Sequence, residues 1–174
     1  KAVNWNEVND MVDKLTWDKL NSQFWLDTRV PVSNDLDDWR LLSEKERELV
    51  NKVFAGLTLL DTLQSQDAIE ALQKHAITQH EMAVLGQIKY MEFVHAKSYS
   101  TIFSTLNTKK EIEEIFDWAL TNPYLQKKAE IVDKWYKHGN ELQRRAISVM
   151  LESFLFYSGF FTPLYYLGRN KLIN

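Results

Sequence analysis

The run Glu92-Phe93-Val94-His95-Ala96-Lys97-Ser98-Tyr99 sets a carboxylate, an imidazole and a phenol at positions i, i+3 and i+7. On an α-helix those three side chains fall within about 60° of one another. Leu85 and Ile88 precede them on that face, and Ile102, Phe103 and Leu106 follow. The polar groups therefore stand inside an apolar stripe of the kind that faces a core. A buried carboxylate without a partner is costly, so something must compensate it. A metal ion held by Glu92 and His95 would do so, with Tyr99 one turn further along beside the metal.

Two more acids share this placement. Asp61 follows Phe54 and Leu57 on the apolar face of its own segment, and Glu152 is the only charge between Ala146 and Leu167. Each acid taken singly also fits a structural group satisfied by a buried arginine or a backbone donor. Three acids and one histidine on three inward helix faces meet the requirement of a carboxylate-bridged dimetal centre in a four-helix bundle. Oxygen ligands with imidazole suit iron or manganese, whereas tetrahedral zinc more often takes sulfur or several histidines. On its residues alone, Tyr99 reads better as a core tyrosine bonded to Glu92 or Asp61.

Helices must position these groups, and the chain is written for helices. Five glycines and three prolines punctuate 174 residues, with long stretches of helical periodicity between them. Beyond an opening segment that includes Trp17 to Trp25, the stretch Pro31 to Asp38 reads as extended. Ser43 with Glu46 forms a capping box before a long helix presenting Val50, Phe54, Leu57, Asp61 and Ala68 on one face. Thr78 with Glu81 opens the helix that carries Glu92, His95 and Tyr99. Shorter helices are predicted over Lys110 to Leu120 and Tyr124 to Lys137, the latter with Asn122 as N-cap and Pro123 at the first position. The last long helix starts near Asn140.

Composition bounds the setting. A formal charge of -3 with scattered basic residues leaves no electrostatic footprint for nucleic acid. The absence of cysteine removes disulfides, thiolate metal sites and cysteine nucleophiles together. No targeting segment is evident, so the cytoplasm is the default compartment. The segment Ala146 to Leu167 has the length of a membrane span. Glu152, Pro163 and its many aromatic residues favour a core helix surrounded on all sides, and no membrane partner is expected. His75, His80 and His138 lie in polar surroundings and are expected at the surface. No repeat or linker marks a boundary, so residues 1–174 are expected to form a single domain.

Several long runs point to a family. They are Phe24-Trp25-Leu26, Val32-Ser33-Asn34-Asp35, Gly56-Leu57-Thr58-Leu59-Leu60-Asp61-Thr62-Leu63-Gln64, Met91-Glu92-x-x-His95-Ala96-x-Ser98-Tyr99-Ser100, Ile102-Phe103-Ser104-Thr105-Leu106, and Leu151-Glu152-Ser153-Phe154-Leu155-Phe156-Tyr157-Ser158-Gly159-Phe160. With these, the chain from Val3 to Asn174 resembles the small, radical-generating subunit of class Ib ribonucleotide reductase. The resemblance implies an all-α, ferritin-like helical bundle that forms a homodimer and holds a tyrosyl radical beside a dimanganese or diiron centre. It implies Asp61, Glu92 and His95 as ligands of the first metal, Glu92 bridging to the second, and Glu152 as a ligand of the second. Tyr99 would carry the radical in an apolar pocket formed partly by Phe156 and Phe160. Trp25 would stand on the electron-transfer route to the large (alpha) subunit, and a flavodoxin-like activating protein would assist manganese loading.

The same resemblance implies a second acid-x-x-His, later helices and a tail, none of which follows Glu152 within this sequence. The expectation is that this is the front portion of a longer protein, supplying four of six protein ligands. A non-catalytic ferritin-like metal-binding protein and a related dimetal oxidase are the alternatives. Tyr99 separates storage from radical generation, because storage needs no buried phenol at the metal.

Overall fold

The structure, a computed structural model, describes residues 2–174 and contains no strand among them. Helix α1 (Met11–Ser22) is opened by Asp10, whose carboxylate accepts from the Val12 amide at 2.8 Å. After a 3-10 turn at Asp27–Arg29 and another at Val32–Asp35 come α2 (Leu36–Leu41) and α3 (Glu44–Leu63). Ser43 and Glu46 form the expected reciprocal box at the start of α3. The chain continues through a π-helical turn, Gln64–Ala68, into α4 (Ile69–Gln73).

Helix α5 (Gln79–Leu106) is capped by Thr78, which accepts from the Glu81 amide at 2.9 Å. Glu81 itself turns to the Ile77 amide and to Arg145, both at 2.8 Å, so the expected box is only half made. Helices α6 (Lys109–Thr121) and α7 (Pro123–His138) follow, with Asn122 capping α7 and Pro123 at its first position as predicted. The last apolar segment is α8 (Glu141–Met150), a second π turn at Leu151–Leu155, and α9 (Tyr157–Leu167).

The long helices α3 and α5 pack together at the centre. α1 covers α5, while α6, α7 and α9 lie against α3. One core cluster joins Leu57, Leu60, Val132, Tyr136, Leu151 and Phe156 across α3, α7 and the final segment. A second joins Ala55, Phe103, Ile115, Ala119 and Leu125. α9 approaches α3 closely enough that a Cβ on Gly159 would stand 2.6 Å from Leu57 Cδ2.

Three sequence expectations give way here. The stretch Pro31 to Asp38 is not extended but coils into the 3-10 turn and α2. Its buried Asp35 is fixed by the Asn174 backbone and side-chain amides at 3.2 and 2.8 Å, a tertiary contact that overrides local preference. His80 is only 6% exposed; its Nε2 lies 3.0 Å from the Asn4 carbonyl, and its ring meets Trp5 edge-on at 4.7 Å. His75 is half-buried against Arg144 Nη1 at 2.8 Å, whereas His138 is exposed as expected.

The third concerns Ala146 to Leu167, which is not surrounded. Leu151, Phe156, Thr162 and Tyr166 face inward, but Phe154 is 68% and Tyr157 71% exposed. The segment is apolar all round, yet only one of its faces meets a neighbour within the described residues. Glu141–Leu167, counted as one continuous helix, is long and apolar enough to cross a membrane by length and composition. Its inner face packs on α3, and most of its apolar surface is left exposed among the described residues.

Candidate metal centre

Asp61 comes from the last turn of α3, and Glu92 and His95 come from successive turns of α5. The packing of α3 on α5 brings one ligand atom from each within 4.8 Å of the others. Asp61 and Glu92 are buried, and His95 is half-buried with its Nδ1 3.1 Å from Glu92 Oε2. Burial, then the neighbouring charge of Glu92, pushes the Asp61 carboxyl up to about 8. Burial pulls His95 down, but the hydrogen bond to Glu92 and the surrounding carboxylates outweigh it, and its pKa is raised. Two buried acids and an imidazole facing one point form an electrostatic hole that a cation fits.

Glu152 stands outside that group of three. As a residue it is exposed, yet its carboxyl lies within the field of Glu92. Desolvation and Glu92 raise it to about 7. Tyr99 follows His95 by one turn and packs against the main core cluster, with the Phe54 ring 5.6 Å from its own. Its phenol is raised by burial first and then by the charges of Asp61 and Glu92. Phe156 is buried in the same cluster, while Phe160 stacks on it at 5.9 Å from a more exposed position.

Trp25, far away in sequence, is brought to the centre. Its ring stacks on His95 at 5.7 Å with an interplanar angle of 25°. The turn that holds it is tied to α5 through Asp27, whose carboxylate accepts from Thr101 and faces Lys97, each at 3.3 Å.

The sequence reading missed two polar residues here. Tyr136 on α7 donates to Gln64 Oε1 at 2.6 Å, and Gln64 Nε2 donates to Ser148 Oγ at 3.2 Å. The signal for Gln64 was its position three residues after Asp61. For Tyr136 it was membership of the inward series Leu125, Ala129, Val132 and Tyr136.

Residues 2–174 match the protein family described as "Ribonucleotide reductase, small chain". The chain belongs to that family. It is 51% identical over 173 residues to the Mycobacterium tuberculosis ribonucleoside-diphosphate reductase subunit beta nrdF1, an alignment covering 99% of this chain and 54% of the relative. Identity to the Escherichia coli ribonucleoside-diphosphate reductase 2 subunit beta is 47%, covering 99% and 54%. The chain thus spans about half the length of the curated relatives it matches.

Among solved structures, the dimanganese(II)-NrdF of Streptococcus sanguinis superposes with a TM-score of 0.98 at 67% identity, covering 100% of this chain and 62% of that one. The Clostridium botulinum ribonucleotide reductase R2 subunit superposes with a TM-score of 0.90 at 22% identity, covering 99% and 56%, which shows the fold alone. The fold is the ferritin-like helical fold of ribonucleotide reductase small chains, and the NrdF relatives place the chain in the class Ib branch.

Proposed function

We propose that this chain carries the metal-binding and radical-forming portion of a class Ib ribonucleoside-diphosphate reductase small subunit. The observation that carries this reading is the convergence of Asp61, Glu92 and His95 within 4.8 Å, with Trp25 stacked on His95 and Tyr99 one turn away. Asp61, Glu92 and His95 would hold the first metal; Glu92 would bridge to a second, which Glu152 would also ligate. When bound and raised to a higher oxidation state by an oxygen-derived oxidant from outside the chain, a dimanganese or diiron pair would supply the oxidising power for one-electron oxidation of the Tyr99 phenol. The relative named as dimanganese(II)-NrdF supports manganese as the first choice to test.

The chain's own residues then do the following. Loss of an electron makes the phenol a strong acid, and Asp61, whose charge already acts on Tyr99, is placed to take the proton. Phe54 and the Leu57 to Phe156 cluster keep water and reductants away from the radical. Trp25, in ring contact with His95, would pass the hole outward to a large subunit, which reduces ribonucleoside diphosphates to deoxyribonucleotides. The working assembly is a small-subunit homodimer with that large subunit, a flavodoxin-like activating protein for manganese loading, and the cytoplasm as its setting. Residues 1–174 are taken as one ferritin-like domain of it.

The test is reconstitution of the full chain with Mn(II) or Fe(II), followed by metal analysis and a nucleotide-reduction assay with the large subunit. Bound metal that is lost in Asp61→Ala and His95→Ala is the expected result. A protein that takes up neither metal would overturn the reading.

A further inference from the structure

The two helical segments that carry Asp61 and Glu152 are cross-linked by a buried polar chain. Gln64 lies one turn after Asp61, and Ser148 lies one turn before Glu152. Gln64 Nε2 donates to Ser148 Oγ at 3.2 Å, and its Oε1 accepts from the Tyr136 hydroxyl at 2.6 Å. Gln64 is 2% and Tyr136 1% exposed, so water cannot replace their mutual bond, while Ser148 is half-buried. In such surroundings each lost hydrogen bond leaves an unsatisfied group, and the chain has one low-energy arrangement.

The backbone explains why a tie is needed at this point. Gln64 opens the π turn after α3, and Glu152 sits inside the π turn after α8, where the Phe156 amide reaches Leu151 O at 3.1 Å. A π turn rotates the side chains on either side of it away from regular helical spacing. Glu152 also has an open outer side, unlike Asp61 and Glu92. Its carboxyl direction is therefore weakly set by packing. Gln64 grips the same helical segment from the core side through Ser148, one turn before Glu152.

We propose that Tyr136, Gln64 and Ser148 form a clamp that positions Glu152 for metal binding, with Tyr136 fixing the Gln64 amide so that its N–H group holds Ser148, one turn before Glu152. The proposal rests on the dimetal reading of the preceding subsection. These are positioning residues, since none of them is assigned as a ligand. Polar groups that orient ligands commonly alter metal affinity by about 10–100-fold when removed.

The experiment is Mn(II) titration of the full, metal-free chain, with free Mn(II) read by electron paramagnetic resonance and the bound pair by its exchange-coupled spectrum. Tyr136→Phe keeps the buried volume and removes only the hydroxyl; Gln64→Leu removes both links. Each is expected to weaken the Glu152-dependent Mn(II) site about 10–100-fold and to alter the coupled spectrum, while the site of Asp61, Glu92 and His95 stays filled. Combining Tyr136→Phe with Glu152→Gln is expected to add no further loss. Wild-type affinity in Tyr136→Phe and Gln64→Leu, with loss in Glu152→Gln, would overturn the clamp and leave the metal reading standing. Additive losses in the combined variant would reduce the clamp to general packing and overturn it too. Unchanged binding in all variants, Glu152→Gln included, would overturn both the ligand role of Glu152 and the clamp.

Discussion

If the centre loads Mn(II), protons have to leave it, and the raised carboxyls set how proton release changes with pH. Burial first, then Glu92, holds Asp61 at about 8 and Glu152 at about 7. At pH 6 Asp61 is therefore about 99% protonated and Glu152 about 90%, while at pH 9 the figures are about 10% and 1%. Cations bind the carboxylates, so filling both sites, the first through Asp61 and the second through Glu152, displaces roughly two protons in all at pH 6 and about 0.1 at pH 9.

Because protons leave on binding, the combined affinity of the two sites climbs as pH rises, by roughly 1.7 decades between pH 6 and 7, and levels off only above about pH 9. Isothermal titration with Mn(II) in buffers of different ionisation enthalpy counts those protons directly. Release of less than one proton at pH 6, or equal release at pH 6 and 9, would refute the buried-acid reasoning. The metal-free protein supplies the sign check. Asp61 holds its proton to higher pH when folded than when unfolded, so apo stability falls as pH rises from about 4 to 8. Bound metal abolishes that fall.

Other outcomes follow from the same geometry. Trp25→Phe should leave Mn(II) uptake intact and abolish nucleotide reduction with the large subunit; full turnover in that variant would remove Trp25 from the route. Phe156→Ala empties a buried position between α3 and α9 and should cost about 3–5 kcal/mol in denaturant unfolding, whereas a change under about 1 kcal/mol would show that the site collapses freely. His80→Ala removes the anchor of the Asn4 carbonyl and the Trp5 ring, so hydrogen exchange near residues 4–10 should quicken while that of α5 past Glu92 does not.

The helices and most of the centre are legible in the sequence because their causes are local. Ser43 with Glu46 and Asn122 with Pro123 announce helix starts through hydrogen bonds made within one turn. Glu92, His95 and Tyr99 share a face because helical spacing alone puts them there. What escapes is set by distant partners. Asp35 and Asn174 meet across most of the chain and coil a segment that reads as extended. His80 looks like a surface residue until Asn4 and Trp5 fold over it.

The two π turns are hidden for another reason. A reading based on 3.6-residue spacing carries straight through Gln64–Ala68 and Leu151–Leu155, where the helix takes an extra residue. The clamp of Tyr136, Gln64 and Ser148 depends on that local rotation, so it became visible only in three dimensions. The exposed outer face of Phe154 and Tyr157 is likewise a matter of which neighbours are present, and composition does not encode it.

The central claim is that Tyr99 is the residue oxidised beside a metal centre built from Asp61, Glu92, His95 and Glu152. Tyr99→Phe keeps nearly all the buried volume against Phe54 and removes the only hydroxyl at stake, so fold and metal content should stay within about 1.5 kcal/mol and one equivalent of wild type. Electron paramagnetic resonance of the metal-loaded, oxidised full chain, read beside nucleotide reduction with the large subunit, is the direct measurement. The wild type should show a tyrosyl signal and Tyr99→Phe none, with turnover lost alongside it. A persistent tyrosyl signal with wild-type turnover in Tyr99→Phe would place the radical on another tyrosine, such as Tyr157, and contradict the assignment.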